Sequence, residues 1–441
     1  MTARRSLAAI PTLLLTLALA ACTAAAPPPS ADTAPPTAAG HGAVAGAAQV
    51  AEPPLALLSV AADGRAGVLD LLDGTAAELG RIAPPTAVAS DGRFGFFSTE
   101  QGVAVIDSGR WTWDHVDHFH YYLAEPRIVG TLPGAGPATV ATGMLATAGG
   151  TGVFFAGSGE AVLLDNAALA DGRITERFRI ATDTGAGLIA PLGDGAVVAD
   201  GHEIVRYSAA GAMQGTATPC TAPAGAITTR VALVIGCAEG AVFATAPGAG
   251  AATGTDAAAG TDATAGTDAD AGTDAGTDTD PGAVPATTVP GFETVPYPAG
   301  GGADRALSLD GRKGRPTVAG RTGGPGFWLL DTRARAWQFV PTTAVLERVV
   351  AVDDEAGHVV ALDRDGRVRV FVAETGAEVG TTEPLVPTIT DAVSLTVDSQ
   401  RAYVNDPAGG VVHEIAYSGE ARLARTLDTA TTPDLIAEVG R

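Results

Sequence analysis

The sequence predicts an all-β chain assembled from short antiparallel strands, and three observations predict it. First, 57 Gly and 29 Pro among 441 residues make about a fifth of the chain turn formers, a load that helical bundles do not carry. Second, β-branched and aromatic runs of strand length recur between Gly, Asp and Asn turns, as in Gly102–Asp107, His358–Asp363 and Arg367–Ala373. Third, the runs repeat in fours. The clearest unit spans 347–380, with strands at Glu347–Asp353, His358–Asp363 and Val368–Ala373, then a short outer strand after Thr375-Gly376. The next follows the same plan at Ala392–Val397, Arg401–Val404, Val411–Ala416 and Arg422–Leu427.

Comparable units begin near residues 86, 138, 186, 224 and 305. The chain opens with only three strands of a unit, at 55–61, 66–72 and 76–82, and finishes on one unmatched strand, Asp434–Val439. The two ends complete each other if they meet in one sheet. That is the pattern of a β-propeller, whose ring closes by sharing its first and last strands and so leaves no long exposed edge. Seven full units plus one split unit predict eight blades of about 43 residues. Seven blades is the alternative, because one unit is interrupted by a long insertion.

The N-terminus reads as an export signal over residues 1–21. Arg4 and Arg5 precede an apolar run from Leu13 to Ala21, too short to span a bilayer as a helix. The run ends Leu19-Ala20-Ala21-Cys22, similar to the lipobox of bacterial lipoproteins. Cys22 then becomes the lipidated N-terminus, and the protein is anchored to the outer face of the cell membrane. Residues 22–52, mostly Ala, Pro, Thr and Gly, read as a disordered tether with too few large apolar groups to fold. The propeller is assigned to 53–441. Within it, 247–290 repeats Gly-Thr-Asp and reads as a disordered surface insertion, its Asp spacing unlike an EF-hand or nonapeptide calcium repeat.

Two further cysteines, Cys220 and Cys237, form an even pair in an exported chain, which implies a disulfide. The interval between them reads as two apolar runs that meet near Thr228-Thr229, so the bridge would staple a hairpin. A net charge of −22 excludes a nucleic-acid partner, since phosphate binding needs a basic face.

One segment concentrates unusual residues: Trp111-Thr-Trp-Asp-His-Val-Asp-His-Phe-His-Tyr-Tyr122. Three of the seven His residues, His115, His118 and His120, fall within it, interleaved with Asp114 and Asp117. Imidazole with carboxylate is the donor set that Zn²⁺ prefers where thiolates are absent. If 118–120 is extended, His118 and His120 project to one side and Phe119 to the other, so both rings can reach one metal. His115 and an Asp would join from the preceding loop, or an Asp would orient a ring from outside. The segment falls near the end of the second blade. His41 lies in the tether, and His202, His358 and His413 are isolated in or beside strands.

This combination resembles the AztD-type periplasmic zinc metallochaperones. The resemblance covers roughly 53–441 and is carried mainly by residues 113–122 and the paired cysteines. It implies that His115, His118, His120, Asp114 and Asp117 hold Zn²⁺, and that the protein passes it to the solute-binding protein of a zinc ABC transporter. It also implies more histidines than this chain has, since none occurs from Tyr121 to Gly201 or between Cys220 and Cys237. The expected function is therefore a monomeric, extracytoplasmic zinc carrier with an open coordination shell. The alternative is a metal-free propeller lipoprotein that serves as an interaction scaffold. No enzyme is expected, because G-x-S-x-G, H-E-x-x-H and P-loop motifs are absent.

Overall fold

The computed structural model describes residues 42–114, 118–246, 291–299 and 304–441. Cys22, His41, His115, Asp117 and the insertion assigned to 247–290 lie outside them. The chain divides into a unit over Met1–Ala43 and one over Val44–Arg441. Among the described residues, the strands of the second unit form six four-stranded sheets, one seven-stranded sheet and one three-stranded sheet. The four-stranded sheets are antiparallel, and four of them are plain meanders, the arrangement of propeller blades.

Strand burial explains why the repeat was legible. Inner strands such as Ala56–Val60, Phe94–Thr99 and Leu233–Cys237 are buried at every position. Sheets stack on both of their faces, so these strands need apolar residues in both phases of the pleat. Outer strands such as Ala76–Arg81 and Arg422–Asp428 are largely exposed, and their sequences mix charged and small residues with isolated leucines.

The terminal strands meet as the sequence implied. Leu435–Val439 pairs antiparallel with Ala56–Val60, with Val439 opposite Ala56 and Leu435 opposite Val60. Its two faces serve different neighbours. Leu435, Ala437 and Val439 pack with Leu58, Val68, Phe97 and Ile106 of the first two sheets. Ile436 packs with Leu57, Leu69, Tyr403 and Val412, which joins the last sheet to the first.

The seven-stranded sheet arises from one long strand, Ala336–Ala351. Its first part pairs with Pro325–Asp331 and its second with His358–Asp363. It thus ends one four-stranded unit and begins the next. The tight Arg364-Asp365-Gly366 turn depends on glycine: Gly366 has φ +77°, and a Cβ there would meet the Val386 carbonyl.

Two local features depart from the sequence expectation. Asn166–Ala170 is a one-turn helix, capped by Asp165 accepting from Ala168 N at 3.1 Å. More consequentially, Ala47–Val50, assigned to the tether, is a strand. It needs no large apolar side chains of its own, because what it supplies is backbone hydrogen bonds to an otherwise open strand edge.

The disulfide Cys220–Cys237 is formed, with both residues buried and a Cα–Cα distance of 5.1 Å. It ties the chain before Ala226–Thr228 to the end of Leu233–Cys237, and the turn between these strands follows Thr228. With a sequence separation of 17, replacing both cysteines by Ala is expected to cost about 3 kcal/mol. Urea unfolding of the double variant beside the oxidised wild type checks this.

Candidate metal centre

The histidine-rich segment is a β-hairpin inserted between the third and fourth strands of the second sheet, Gly102–Asp107 and Arg127–Pro133. Its strands are Arg110–Asp114 and Phe119–Ala124. Ala47–Val50 adds a third strand along the outer edge of Phe119–Ala124, with Gln49 opposite Tyr122. Its aromatic content suits a paired hairpin, because cross-strand aromatic pairs stabilise hairpins.

The register decides what faces what. Trp111 lies opposite Tyr122 and Trp113 opposite His120, so these four share one face. Trp111 stacks on Tyr122 with ring centroids 4.8 Å apart, and Trp113 lies 5.6 Å from His120. Burial pushes the Tyr122 phenol above its ordinary pKa. The opposite face is tied down by Arg110, which donates to Asp70 Oδ2 at 3.1 Å, and by Thr112, which donates to the Gly440 carbonyl at 3.0 Å.

The hairpin stands on a buried ion pair. Arg93 donates through Nε and Nη2 to the two carboxylate oxygens of Asp107, both at 2.9 Å. Arg127 adds a third bond to Asp107 at 3.2 Å. The Arg93 guanidinium also lies 4.0 Å from the centroid of the Trp111 ring, a cation–π contact that seats the first hairpin strand. A cavity of about 510 Å³ opens beside this pair, walled by Trp111, Trp113, Tyr122 and Arg127 and closed on one side by Val44–Ala47.

At the hairpin end, His118 Nε2 and His120 Nε2 lie 2.9 Å apart. His120 is buried at 4 % exposure, whereas His118 is exposed. Gln49 Nε2 donates to His120 Nδ1 at 2.7 Å. Two imidazole nitrogens on one tetrahedral Zn²⁺, at ~2.05 Å each, would stand about 3.3 Å apart. The pair is therefore within a few tenths of an ångström of a shared-metal spacing, and a small turn of the exposed ring closes the gap.

Asp114 Oδ2 forms a 3.4 Å ion pair with Arg230, which lies in the turn between Ala226–Thr228 and Leu233–Cys237. Among the described residues, no group of three or more His, Cys, Asp or Glu side chains could hold a metal. The described part of the site thus brings together two nitrogen donors, His118 and His120, while His115 and Asp117 fall outside it.

His202, His358 and His413 lie in or beside strands of other sheets. His358 Nδ1 pairs with Asp354 Oδ2 at 2.6 Å across a turn. His413 is buried in Val411–Ala416, and desolvation holds its pKa below the ordinary value. The residues that sequence reasoning missed are Gln49, Arg93 and Asp107. Gln49 is 71 positions from His120, and no local pattern in a low-complexity stretch marks it.

No protein-family model matches the chain. No curated protein matches it. Among solved structures, the crystal structure of AztD from Citrobacter koseri is similar, with a TM-score of 0.67 and 18 % identity over 87 % of this chain and 97 % of that one. The structure of apo AztD from the same organism matches with a TM-score of 0.66 and 17 % identity, over 87 % and 97 % of the two chains. At that identity the likeness shows a common fold, and it spans nearly the whole of the solved chain.

Proposed function

We propose that the protein is an extracytoplasmic carrier that binds Zn²⁺ at the inserted hairpin and hands it to the solute-binding protein of a zinc ABC transporter. The observation that carries this reading is the convergence of His118 and His120 Nε2, 2.9 Å apart, on a chain with the fold of AztD. One ring is buried and oriented, and the other is exposed. Such a pair suits a cargo site, because an exposed ligand gives an acceptor a route to the metal. His115 and Asp117 complete the shell, with Asp114 available once it leaves Arg230. The net charge of −22 adds a modest attraction for cations. On this reading the protein is a monomer anchored through Cys22 at the outer face of the membrane, and it transfers cargo without catalysing a reaction. We further infer a closed ring of eight blades, in which the seven-stranded sheet supplies two.

A metal-free scaffold is the second reading. It is favoured by the exposed Trp113, Phe119, Met144 and Leu145, apolar side chains of the hairpin and of a neighbouring inter-strand loop.

A competition titration of the exported protein against a zinc chelator separates the two. Wild type is expected to bind one equivalent. The His118→Ala/His120→Ala variant is expected to lose more than about 100-fold in affinity, beyond the ~10–100-fold that losing an outer-shell partner costs. His115→Ala and Asp117→Asn then test the remaining ligands. Equal binding by wild type and the double variant would remove the carrier reading.

A further inference from the structure

We propose that Gln49, on the added N-terminal strand, is a positioning residue for the metal site, and that zinc binding and docking of Ala47–Val50 favour each other. The inference rests on the carrier reading above and adds a residue and a coupling to it.

The argument starts from proton positions. An amide nitrogen only donates, so the 2.7 Å contact from Gln49 Nε2 makes His120 Nδ1 the acceptor. Neutral His120 then carries its proton on Nε2 and donates it to His118 Nε2 at 2.9 Å. Three groups thus form one directed chain, from Gln49 to His120 to His118.

A cation bound by both Nε2 atoms requires the other His120 tautomer. The proton sits on Nδ1, and Nε2 offers its lone pair to the metal. Proton count is unchanged, since one neutral tautomer replaces the other through solvent. Gln49 is suited to both states. A rotation of its terminal amide replaces the donating nitrogen with the accepting Oε1, which then receives Nδ1–H. Leu at this position could do neither, and Glu could only accept.

Geometry supplies the second half. Gln49 is held by a strand whose register with Phe119–Ala124 runs from Ala47 opposite Ala124 to Val50 opposite Tyr121. The same segment closes one side of the cavity next to Trp111, Trp113 and Tyr122. The amide of Gln49 therefore reaches His120 only while this strand is docked. By linkage, whatever the strand adds to zinc affinity, zinc adds to strand docking.

The experiment compares wild type, Gln49→Leu and Gln49→Glu in the exported protein. Three quantities are measured: zinc affinity by chelator competition, the unfolding midpoint without metal, and hydrogen exchange of the 47–50 amides with and without Zn²⁺. Gln49→Leu is expected to bind zinc ~10–100-fold more weakly. Gln49→Glu is expected to bind at least as tightly as wild type, because a carboxylate accepts from Nδ1–H. Zinc is expected to slow exchange at 47–50 in wild type and to do so less in Gln49→Leu.

Unchanged affinity in Gln49→Leu would overturn the inference while leaving the carrier reading intact. Equal losses in both variants, with equally lowered midpoints, would also overturn it, since that pattern marks simple undocking of the strand. No zinc binding by wild type would remove the carrier reading itself, and this inference with it.

Discussion

A chain cut after Pro433 is expected to lose cooperative folding. The deletion removes Leu435–Val439, the strand that pairs with Ala56–Val60 along its whole length. Leu435, Ile436 and Val439 are all buried, at 5 %, 3 % and 0 % exposure. Fully burying a side chain of this kind contributes about 1.5–3 kcal/mol, so three account for roughly 5–9 kcal/mol. The backbone ladder to Ala56–Val60 and the packing of Tyr403 and Val412 on Ile436 are lost besides. A domain has only about 5–15 kcal/mol in total. The truncated chain should therefore show no sharp thermal transition by calorimetry and should be cleaved rapidly by protease. A single cooperative transition within a few degrees of wild type would show that the terminal strand does not hold the fold together.

The second large effect is expected at Asp107. Asp107→Ala leaves the Arg93 guanidinium buried and without its carboxylate, and Asp107 also accepts from Arg127 and from Gly109 N. Breaking a buried pair from one side costs about 3–5 kcal/mol. Zinc affinity is expected to fall as well, because Arg93 supports Trp111, and Trp111 and Tyr122 form the base of the hairpin that carries His120. The paired replacement Arg93→Met/Asp107→Leu distinguishes charge burial from packing. Removing both charges eliminates the desolvation cost together with the attraction, so stability should return to within ~1–2 kcal/mol of wild type. Urea unfolding of the three proteins measures the stabilities, and chelator competition measures the zinc affinity. A single variant as stable as wild type would mean that water reaches Arg93.

These two effects differ in how far the sequence foretold them. Leu435–Val439 was legible as an unmatched strand, because the repeat leaves one strand over at the end and one missing at the start. His358–Asp363 and Val411–Ala416 were read with their observed boundaries, since each is a short run rich in strand-forming residues and closed off by turn residues. Asp107 was read only as the end of a strand. Nothing near it in sequence announces that Arg93, across a strand pair, and Arg127, after an inserted hairpin, converge on its carboxylate.

The histidine segment divides in the same way. Its composition marked it, and the pleat alone put His118 and His120 on one side. The pairing of Trp113 with His120, the ion pair of Asp114 with Arg230 and the contact of Gln49 with His120 were not legible. Each depends on a partner distant in the chain, and the strand that bears Gln49 lies in a stretch whose composition reads as a tether.

The strand class, the four-strand repeat, the complementary ends and the segment where donors gather were all readable from the chain alone. These follow from local periodicity and composition, which act over a few residues. The tertiary structure decided which two imidazole nitrogens stand 2.9 Å apart, which ion pair supports them and which strand orients them. Those outcomes depend on contacts between segments far apart in sequence, where the free energy of a pair is set by geometry and burial that no local pattern encodes.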